Sequence, residues 1–288
     1  MTAEPISPAI ALPAESAAAW HGQLQLSFGR QAEKTTPIQV QATAPLKLQR
    51  PFYPEGDLCH SVIVHTAGGM VGGDRLTLNL QLQSLSQALV TTAAANKVYR
   101  SSGLTTHQQV CLRLAPQTCL EWLPQETIVF NQARYQQNSR IELAPGAVWL
   151  GWEITRFGRS ASGEQFLAGS WRSQLEVWQQ DQPLWIDRQS LSGGSAALQS
   201  PHGLGGYPVI GSLALLGYAV SEPQLATLRQ SWRPETGDTG ITALMQGVLC
   251  RYRGPSSQAA RAWFVALWQI LRPWYLGRAV CMPRVWGR

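Results

Sequence analysis

Alternation of apolar and polar residues, which is the period of a β-strand, dominates the chain from Trp20 onward. In the clearest stretch, residues 75–83, four leucines fall on one face and polar side chains fall on the other. The same alternation predicts further strands at residues 23–28, 109–114, 139–143 and 171–177. Gly and Pro turn signals separate these runs, and this arrangement favours stacked or wound antiparallel sheets.

A helical period appears only in the last quarter of the chain. Residues 222–232 predict a short helix, with Ser221 as its N-cap and Pro223 near its start. Residues 256–271 predict a longer helix with a wide apolar face, which Pro273 should end. We expect this helix to pack on the chain's own sheet; presentation of its apolar face to a partner is the alternative.

These patterns predict three parts of the chain. A β-rich body spans residues 20–218, and a C-terminal part, residues 219–288, carries the two helices packed on the body. Residues 1–19 contain three prolines and neither Lys nor Arg, so we expect a disordered tail and no signal peptide.

Composition excludes several classes of protein. The 288 residues are 44% hydrophobic and 14% charged, which excludes disorder over the whole length, and no run approaches the roughly 20 apolar residues that span a bilayer. The net charge of +6 comes mainly from arginines spread singly along the chain. We therefore expect ion pairs and protein contacts, and neither nucleic acid nor a membrane as partner. Five cysteines without a C-x-x-C pair indicate a reducing compartment, the cytoplasm.

A glycine-rich segment, residues 65–75 (HTAGGMVGGDR), offers the outer spacing of a phosphate-binding loop. Asp74 and Arg75 stand where that loop has Lys and Ser or Thr, and a strand follows instead of a helix, so we do not expect a nucleotide site. The glycines instead predict a tightly shaped loop: Gly68, Gly69, Gly72 and Gly73. Asp74 projects from this loop for a function, or else it pairs with Arg75 or caps the turn.

Neither a metal cage nor a catalytic constellation is recognisable in the sequence. Cys59 and His65 share one face of a predicted strand about 20 Å apart, and His60 points to the other face, so these three should not hold one ion. No G-x-S-x-G nucleophile motif occurs. Acidic residues distant in sequence would still be able to meet in space.

A resemblance to a known family runs through most of the chain, with matching order and spacing from about Trp20 to Trp286. It is carried by residues 45–55 (PLKLQRPFYPE), 67–75 (AGGMVGGDR), 97–101 (KVYRS), 120–128 (LEWLPQETI), 152–154 (WEI), 157–159 (FGR), 271–273 (LRP) and 283–286 (PRVW). In these segments the chain resembles the UreD/UreH family of urease accessory proteins. Ala67 departs from the proline expected before the glycines.

The resemblance implies a mainly β fold, wound like a β-helix or a twisted sandwich, with two helices and no enzymatic role. It implies assembly with UreF, and through UreF with the GTPase UreG, on the urease apoprotein. It also implies that nickel passes transiently through an internal passage, with no tightly bound cofactor.

Matching the family position by position implies which residues serve this role. The acidic residues of the passage would be Asp57, Asp74, Glu153 and Asp187, with Lys97 and Tyr99 lining the same region. Scattered carboxylates suit an ion that must be released, because nickel binds imidazole and thiolate more strongly. The alternative for each acid is an ordinary pair with an arginine.

The C-terminal part is expected to contact partner proteins, through Trp274, Arg278, Arg284 and Trp286. Two other functions stay open. One is a purely structural adaptor between UreF and urease, and the other is a β-fold hydrolase or transferase in which acids act as general acid and base.

Overall fold

A computed structural model describes residues 19–287, which form seventeen β-strands and two α-helices. The strands, β1 to β17 in chain order, are His21–Gln31, Lys34–Ala42, Leu46–Leu48, Cys59–His65, Arg75–Leu82, Gln87–Thr92, Asn96–Val98, Thr106–Leu114, Cys119–Leu123, Thr127–Val129, Arg134–Leu143, Val148–Phe157, Ser170–Gln179, Gln182–Ser192, Val209–Leu216, Asp238–Leu244 and Gly247–Gly254. The helices are α1, Glu222–Gln230, and α2, Ser257–Leu276. The prediction of a mainly β fold with two helices is confirmed. Apart from Ala19, the expected tail lies outside the described residues.

The strands form two sheets, and the chain winds back and forth between them. The seven-stranded sheet has the order β14-β13-β11-β8-β5-β1-β2. The ten-stranded sheet has the order β16-β17-β15-β12-β9-β6-β4-β3, with β10 also paired to β12 and β7 paired to β10. From β4 to β13 the chain alternates between the sheets, apart from the short β7 and β10. Successive strands of one sheet therefore run in the same direction, as in a β-helix.

The expectation of wound, stacked sheets is confirmed, but the expectation of antiparallel pairing is wrong for the centre of both sheets. The pairs β1–β5, β5–β8, β8–β11 and β11–β13 are parallel, as are β4–β6, β6–β9 and β9–β12. Antiparallel pairs occur toward the edges, for example β1–β2 and β13–β14. Alternation along one strand reports its two faces but carries no information on the direction of its neighbour.

Two hydrophobic cores lie on opposite faces of the ten-stranded sheet. The inner core, between the sheets, contains the four leucines of β5 and bulky side chains such as Trp149 and Trp171. The outer core lies beneath α2, which contributes Trp263, Phe264, Leu267, Trp268 and Leu271. Each fully buried side chain of this kind contributes about 1.5–3 kcal/mol, so both cores are substantial. The ten-stranded sheet is thus the middle of three layers, and β16 and β17 extend it from the C-terminal part.

Helix α2 continues past Pro273, contrary to the sequence-based prediction that it ends there. The Ser256 side chain caps its start by accepting from the Ala259 backbone N–H, and Gly277 ends it with φ +68°. Proline removes a backbone donor and crowds the preceding turn, but Pro273 lies only four residues before the Gly277 cap, which completes the last turn. The shorter helix α1 has the predicted cap, Ser221, and ends at Gln230.

Within residues 19–287, no helix combines the length and the apolar character that crossing a bilayer requires. All five cysteines are free thiols.

Candidate functional site

A band of polar side chains crosses the space between the two sheets. In β12, Glu153 shares a face with Trp149 and Phe157 of the inner core, and in β11 Gln137 and Ser139 stand between inward-facing apolar residues. We define the inter-sheet polar row as Gln108, Gln137, Ser139, Ser173 and Asp187 from the seven-stranded sheet, with Glu153, Ser212 and Arg251 from the ten-stranded sheet. Burial of polar groups costs free energy unless they are hydrogen-bonded, so core packing alone does not explain this band.

Glu153 is the centre of this row and accepts three hydrogen bonds from the opposite sheet. Gln137 Nε2 donates to Glu153 Oε1 at 2.6 Å, and Ser139 donates to the same oxygen at 3.1 Å. Ser173 donates to Oε2 at 3.2 Å. Burial raises the pKa of Glu153 to about 7, and the negative charge of Asp187 adds to the rise, whereas the three donors oppose it. Near neutral pH the group therefore exchanges between carboxylate and carboxylic acid.

Asp187 and Arg251 form the other end of the row. Arg251 Nη2 lies 2.9 Å from Asp187 Oδ1, and Gln189 donates to Asp187 Oδ2 at 2.7 Å. Ser212 links this pair to the centre, because it faces Glu153 in the β12–β15 register and Arg251 in the β15–β17 register. The row therefore continues across strands from Glu153 to Arg251.

A cavity opens at each end of the inter-sheet polar row. The first, of about 470 Å³, is lined by both sheets and includes Glu153, Gln137 and Gln108, with His65 and Lys97 also on its wall. The second, of about 720 Å³, includes Ser212 and Arg251. Burial lowers the pKa of His65, and the charge of Asp74 opposes that fall. The row thus lies between two cavities.

Asp74 shapes the glycine-rich loop through its carboxylate. Its two oxygens accept backbone N–H groups, Oδ1 from Trp20 at 3.0 Å and Oδ2 from Val71 at 2.8 Å. The loop packs tightly, since a Cβ on Gly69 (φ +154°) would lie 2.5 Å from the Lys97 carbonyl oxygen. This geometry corresponds to the alternative in which Asp74 caps the turn.

The other predicted loop glycines, with Tyr99 and Lys97, lie in or beside this loop. Gly73 has φ +95°, a conformation that favours glycine, and Gly72 and Gly68 adjoin residues 99–104, where Tyr99 donates to the Gly68 carbonyl at 2.9 Å. Lys97 is exposed at the wall of the first cavity.

Asp57 lies apart from Glu153 and Asp187, in the loop before β4, where Arg278 binds both of its oxygens at 2.5 and 2.8 Å. These hydrogen bonds hold the pKa of Asp57 below its usual value, although burial opposes them. Of the four predicted acids, the structure brings only Glu153 and Asp187 into one row.

A buried ion network joins α2 to the outer face of the ten-stranded sheet. Arg272 is fully buried, and Glu55 and Glu121 each bind its guanidinium through both carboxylate oxygens, at 2.7 to 3.1 Å. Trp268 Nε1 donates to Glu121 at 2.6 Å, and the Tyr275 hydroxyl contacts the same carboxylate. We define this helix–sheet ion network as Glu55, Glu121 and Arg272.

Glu55 also accepts from His60 Nε2 at 2.7 Å. Burial alone would raise its pKa, but the hydrogen bonds from His60 and Arg272, with the charge of Arg272, lower the pKa of Glu55 to about 2. Glu55 is therefore ionised throughout the neutral range.

The residues expected to contact partners are partly engaged within the chain. Trp286 packs against Trp152 and Trp268, with ring centroids 5.5 and 6.0 Å apart, and donates to Thr91 at 3.1 Å. Arg284 lies over the Phe52 ring. Trp274 is half-buried beside the outer core, and Arg278 is held in its pair with Asp57.

Sequence reasoning missed most of the inter-sheet polar row and the whole helix–sheet ion network. A local signal existed for the row: polar residues at inward positions of otherwise apolar alternation, as at Gln137, Ser139 and Ser173. No local signal marks the network, because Glu55 and Arg272 are 217 residues apart.

Known proteins are similar to this chain over nearly its whole length. Residues 21–287 match the family model described as UreD urease accessory protein. The chain is 57% identical to a urease accessory protein UreD of Nostoc punctiforme, over 93% of this chain and 96% of that protein. It is 54% identical to the protein of the same name from Acaryochloris marina, with the same coverages, and 40% identical to that of Methylobacillus flagellatus, over 93% and 94%. The chain therefore belongs to the UreD family of urease accessory proteins.

Proposed function

We propose that this chain conducts nickel into the urease apoprotein through the inter-sheet polar row. The observation that carries the proposal is the row itself, a line of polar groups between two otherwise apolar sheets with a cavity at each end. Apolar residues at these positions would stabilise the fold at least as well, because buried polar and charged groups carry a desolvation cost. A path for a hydrated cation gives the row a purpose.

The donors of the row suit passage better than storage. Carboxylate, hydroxyl and amide oxygens bind nickel more weakly than imidazole or thiolate, so an ion moving along them is not trapped. Glu153, which exchanges its proton near neutral pH, is able to take up positive charge as a proton or as a metal ion. Asp187 is the next acid, and the cation must share it with Arg251.

In this proposal the chain acts in the cytoplasm, together with UreF and, through UreF, with the GTPase UreG. Nickel is cargo and no cofactor is tightly bound. UreF binds at the C-terminal part, where Arg284 is exposed and Trp274 is half-exposed. We propose no catalytic role, because the relatives are named as accessory proteins.

The test is Glu153→Gln, which keeps the size of the side chain and an acceptor for Gln137 but removes the charge. Urease, UreF, UreG and the variant are produced together in nickel-limited cells, and nickel per purified urease is measured by mass spectrometry. We expect about a tenfold decrease in nickel content. Glu142→Gln, on the exposed face of β11, is the matched control and should have no effect.

A structural adaptor is the second candidate function. It is favoured by the structural use of two predicted passage acids, since Asp57 and Asp74 are held by Arg278 and by backbone amides. Asp74→Ala would disturb the loop as well as any passage, so it does not separate the two functions. If Glu153→Gln co-purifies with UreF and urease and leaves nickel content unchanged, the adaptor is correct and the passage is wrong.

A further inference from the structure

Three metal-binding side chains converge on the outer face of the ten-stranded sheet, away from the inter-sheet polar row. Glu55 lies in the loop before β4, His60 lies in β4, and Cys281 lies in the segment after α2. One ligand atom from each lies within 4.8 Å of the other two. We propose that Glu55, His60 and Cys281 bind a divalent transition-metal ion of the nickel and zinc class.

The donor set selects this class of ion. Imidazole nitrogen, thiolate sulfur and carboxylate oxygen together are typical ligands of Zn²⁺ and Ni²⁺, whereas Mg²⁺ and Ca²⁺ take oxygen ligands. Ligand bonds of about 2.0 to 2.3 Å place neighbouring donors of a tetrahedral ion roughly 3.3 to 3.8 Å apart. The present spacing therefore needs only small side-chain movements to close around an ion.

Binding replaces one hydrogen bond and one thiol proton. The ion replaces the hydrogen bond between Glu55 Oε1 and His60 Nε2, and these two atoms separate from 2.7 Å to about 3.3 Å to bind it. The imidazole proton on Nε2 moves to Nδ1, so the ring stays neutral. The proton of the Cys281 thiol passes to solvent, and one proton is released for each ion bound.

The surrounding charges favour a dication once the thiol is ionised. Three carboxylates, those of Glu55, Glu121 and Asp57, face two guanidinium groups, those of Arg272 and Arg278. The cluster thus carries one negative charge, and the thiolate of Cys281 adds a second. One divalent ion neutralises both, so the nearby arginines do not prevent binding.

An access route reaches the proposed site from the surface. His60 lines a cavity of about 230 Å³ together with Met282 and Pro283, which follow Cys281 in the sequence. Glu55 and Cys281 each retain some exposure. An ion is therefore able to approach His60 from the cavity, and Glu55 and Cys281 from their exposed sides.

The experiment titrates the full-length protein with Ni²⁺ and with Zn²⁺ by calorimetry and records the near-ultraviolet absorption of the nickel form. We expect one bound ion, one proton released, and a thiolate-to-nickel charge-transfer band. Cys281→Ser should lose the band and at least about tenfold in affinity, and His60→Gln should lose affinity to a similar extent. Cys111→Ser removes another half-buried free thiol and is the matched control, which should bind as the wild type does.

The site is overturned if wild-type protein shows no charge-transfer band, or if Cys281→Ser keeps it. Circular dichroism of Cys281→Ser checks that the fold is retained, and serine is close in size to cysteine. The proposal is independent of nickel conduction, since Glu153→Gln should bind the ion as the wild type does even if urease receives less nickel.

Discussion

At the scale of the residue, Glu153 places an ionisable carboxyl group on the core-facing side of a β-strand. Its neighbours on the same face of β12, Trp149 and Phe157, are core residues, and periodicity alone assigns position 153 to the core as well. Three hydrogen bonds compensate part of the cost of burial, and the raised pKa reflects the part that remains. The chain thus retains an acid where an apolar residue would stabilise the fold.

The raised pKa of Glu153 predicts a pH dependence of stability. Between its ordinary value of 4.5 and about 7, the folded protein holds a proton that the unfolded chain has lost, so the free energy of unfolding decreases as pH rises through this window. The decrease should amount to roughly 1 to 3 kcal/mol, since a tenfold change in a proton-binding constant corresponds to about 1.4 kcal/mol. Urea denaturation at pH 5 and pH 8 measures it.

Glu153→Gln cannot titrate, so it should lack this decrease and should be more stable than the wild type at pH 8. Glu142→Gln should keep the wild-type dependence because its side chain is 40% exposed. Identical pH profiles for the wild type and Glu153→Gln would show that the carboxyl is not desolvated.

At the scale of the element, Arg272 decides how α2 is attached to the sheet. The apolar face of the helix supplies the area of contact, but the buried guanidinium fixes the position of its last turns against Glu55 and Glu121. Such an ion network adds little net stability compared with apolar residues, yet removal of one partner leaves the others charged and buried. The network therefore favours the one arrangement of helix and sheet in which all three charges are paired.

Arg272→Met should lower the free energy of unfolding by about 3 to 5 kcal/mol, because two buried carboxylates lose their cation. Arg188→Met removes an arginine whose side chain is 67% exposed from its pair with Glu176, and it should cost at most about 1 kcal/mol. Denaturation in urea compares the two variants. An equal loss in both would mean that the network is solvated and weak.

At the scale of the whole molecule, strands are predictable from the sequence, whereas their partners in the sheets are not. The leucines of β5 mark its buried face so clearly that the predicted strand agrees with the observed one to within one residue. The parallel direction of neighbouring strands follows from the winding of the chain, which the residue pattern of a single strand does not reveal. Glu55 and Arg272 meet only after that winding, so their contact is a property of the completed fold.

The shared middle layer predicts that the two cores unfold together. The ten-stranded sheet buries one face in each core, so neither core persists without it. Hydrogen–deuterium exchange in increasing urea should give the same opening free energy for β8 and for α2. Trp263→Phe, in the outer core, should lower both values equally, by about 1 to 3 kcal/mol. Exchange of α2 at much lower urea than β8 would indicate separate units.

The long sequence separation between Arg272 or Arg278 and the carboxylates that they bind also has a consequence for biosynthesis. Translation delivers Glu55, Asp57 and Glu121 long before the cationic groups that neutralise them. The nascent polypeptide on the ribosome therefore carries these carboxylates without their arginine partners until residues 272–278 emerge. A product that stops before position 272 lacks both arginines and is therefore unable to complete the outer face.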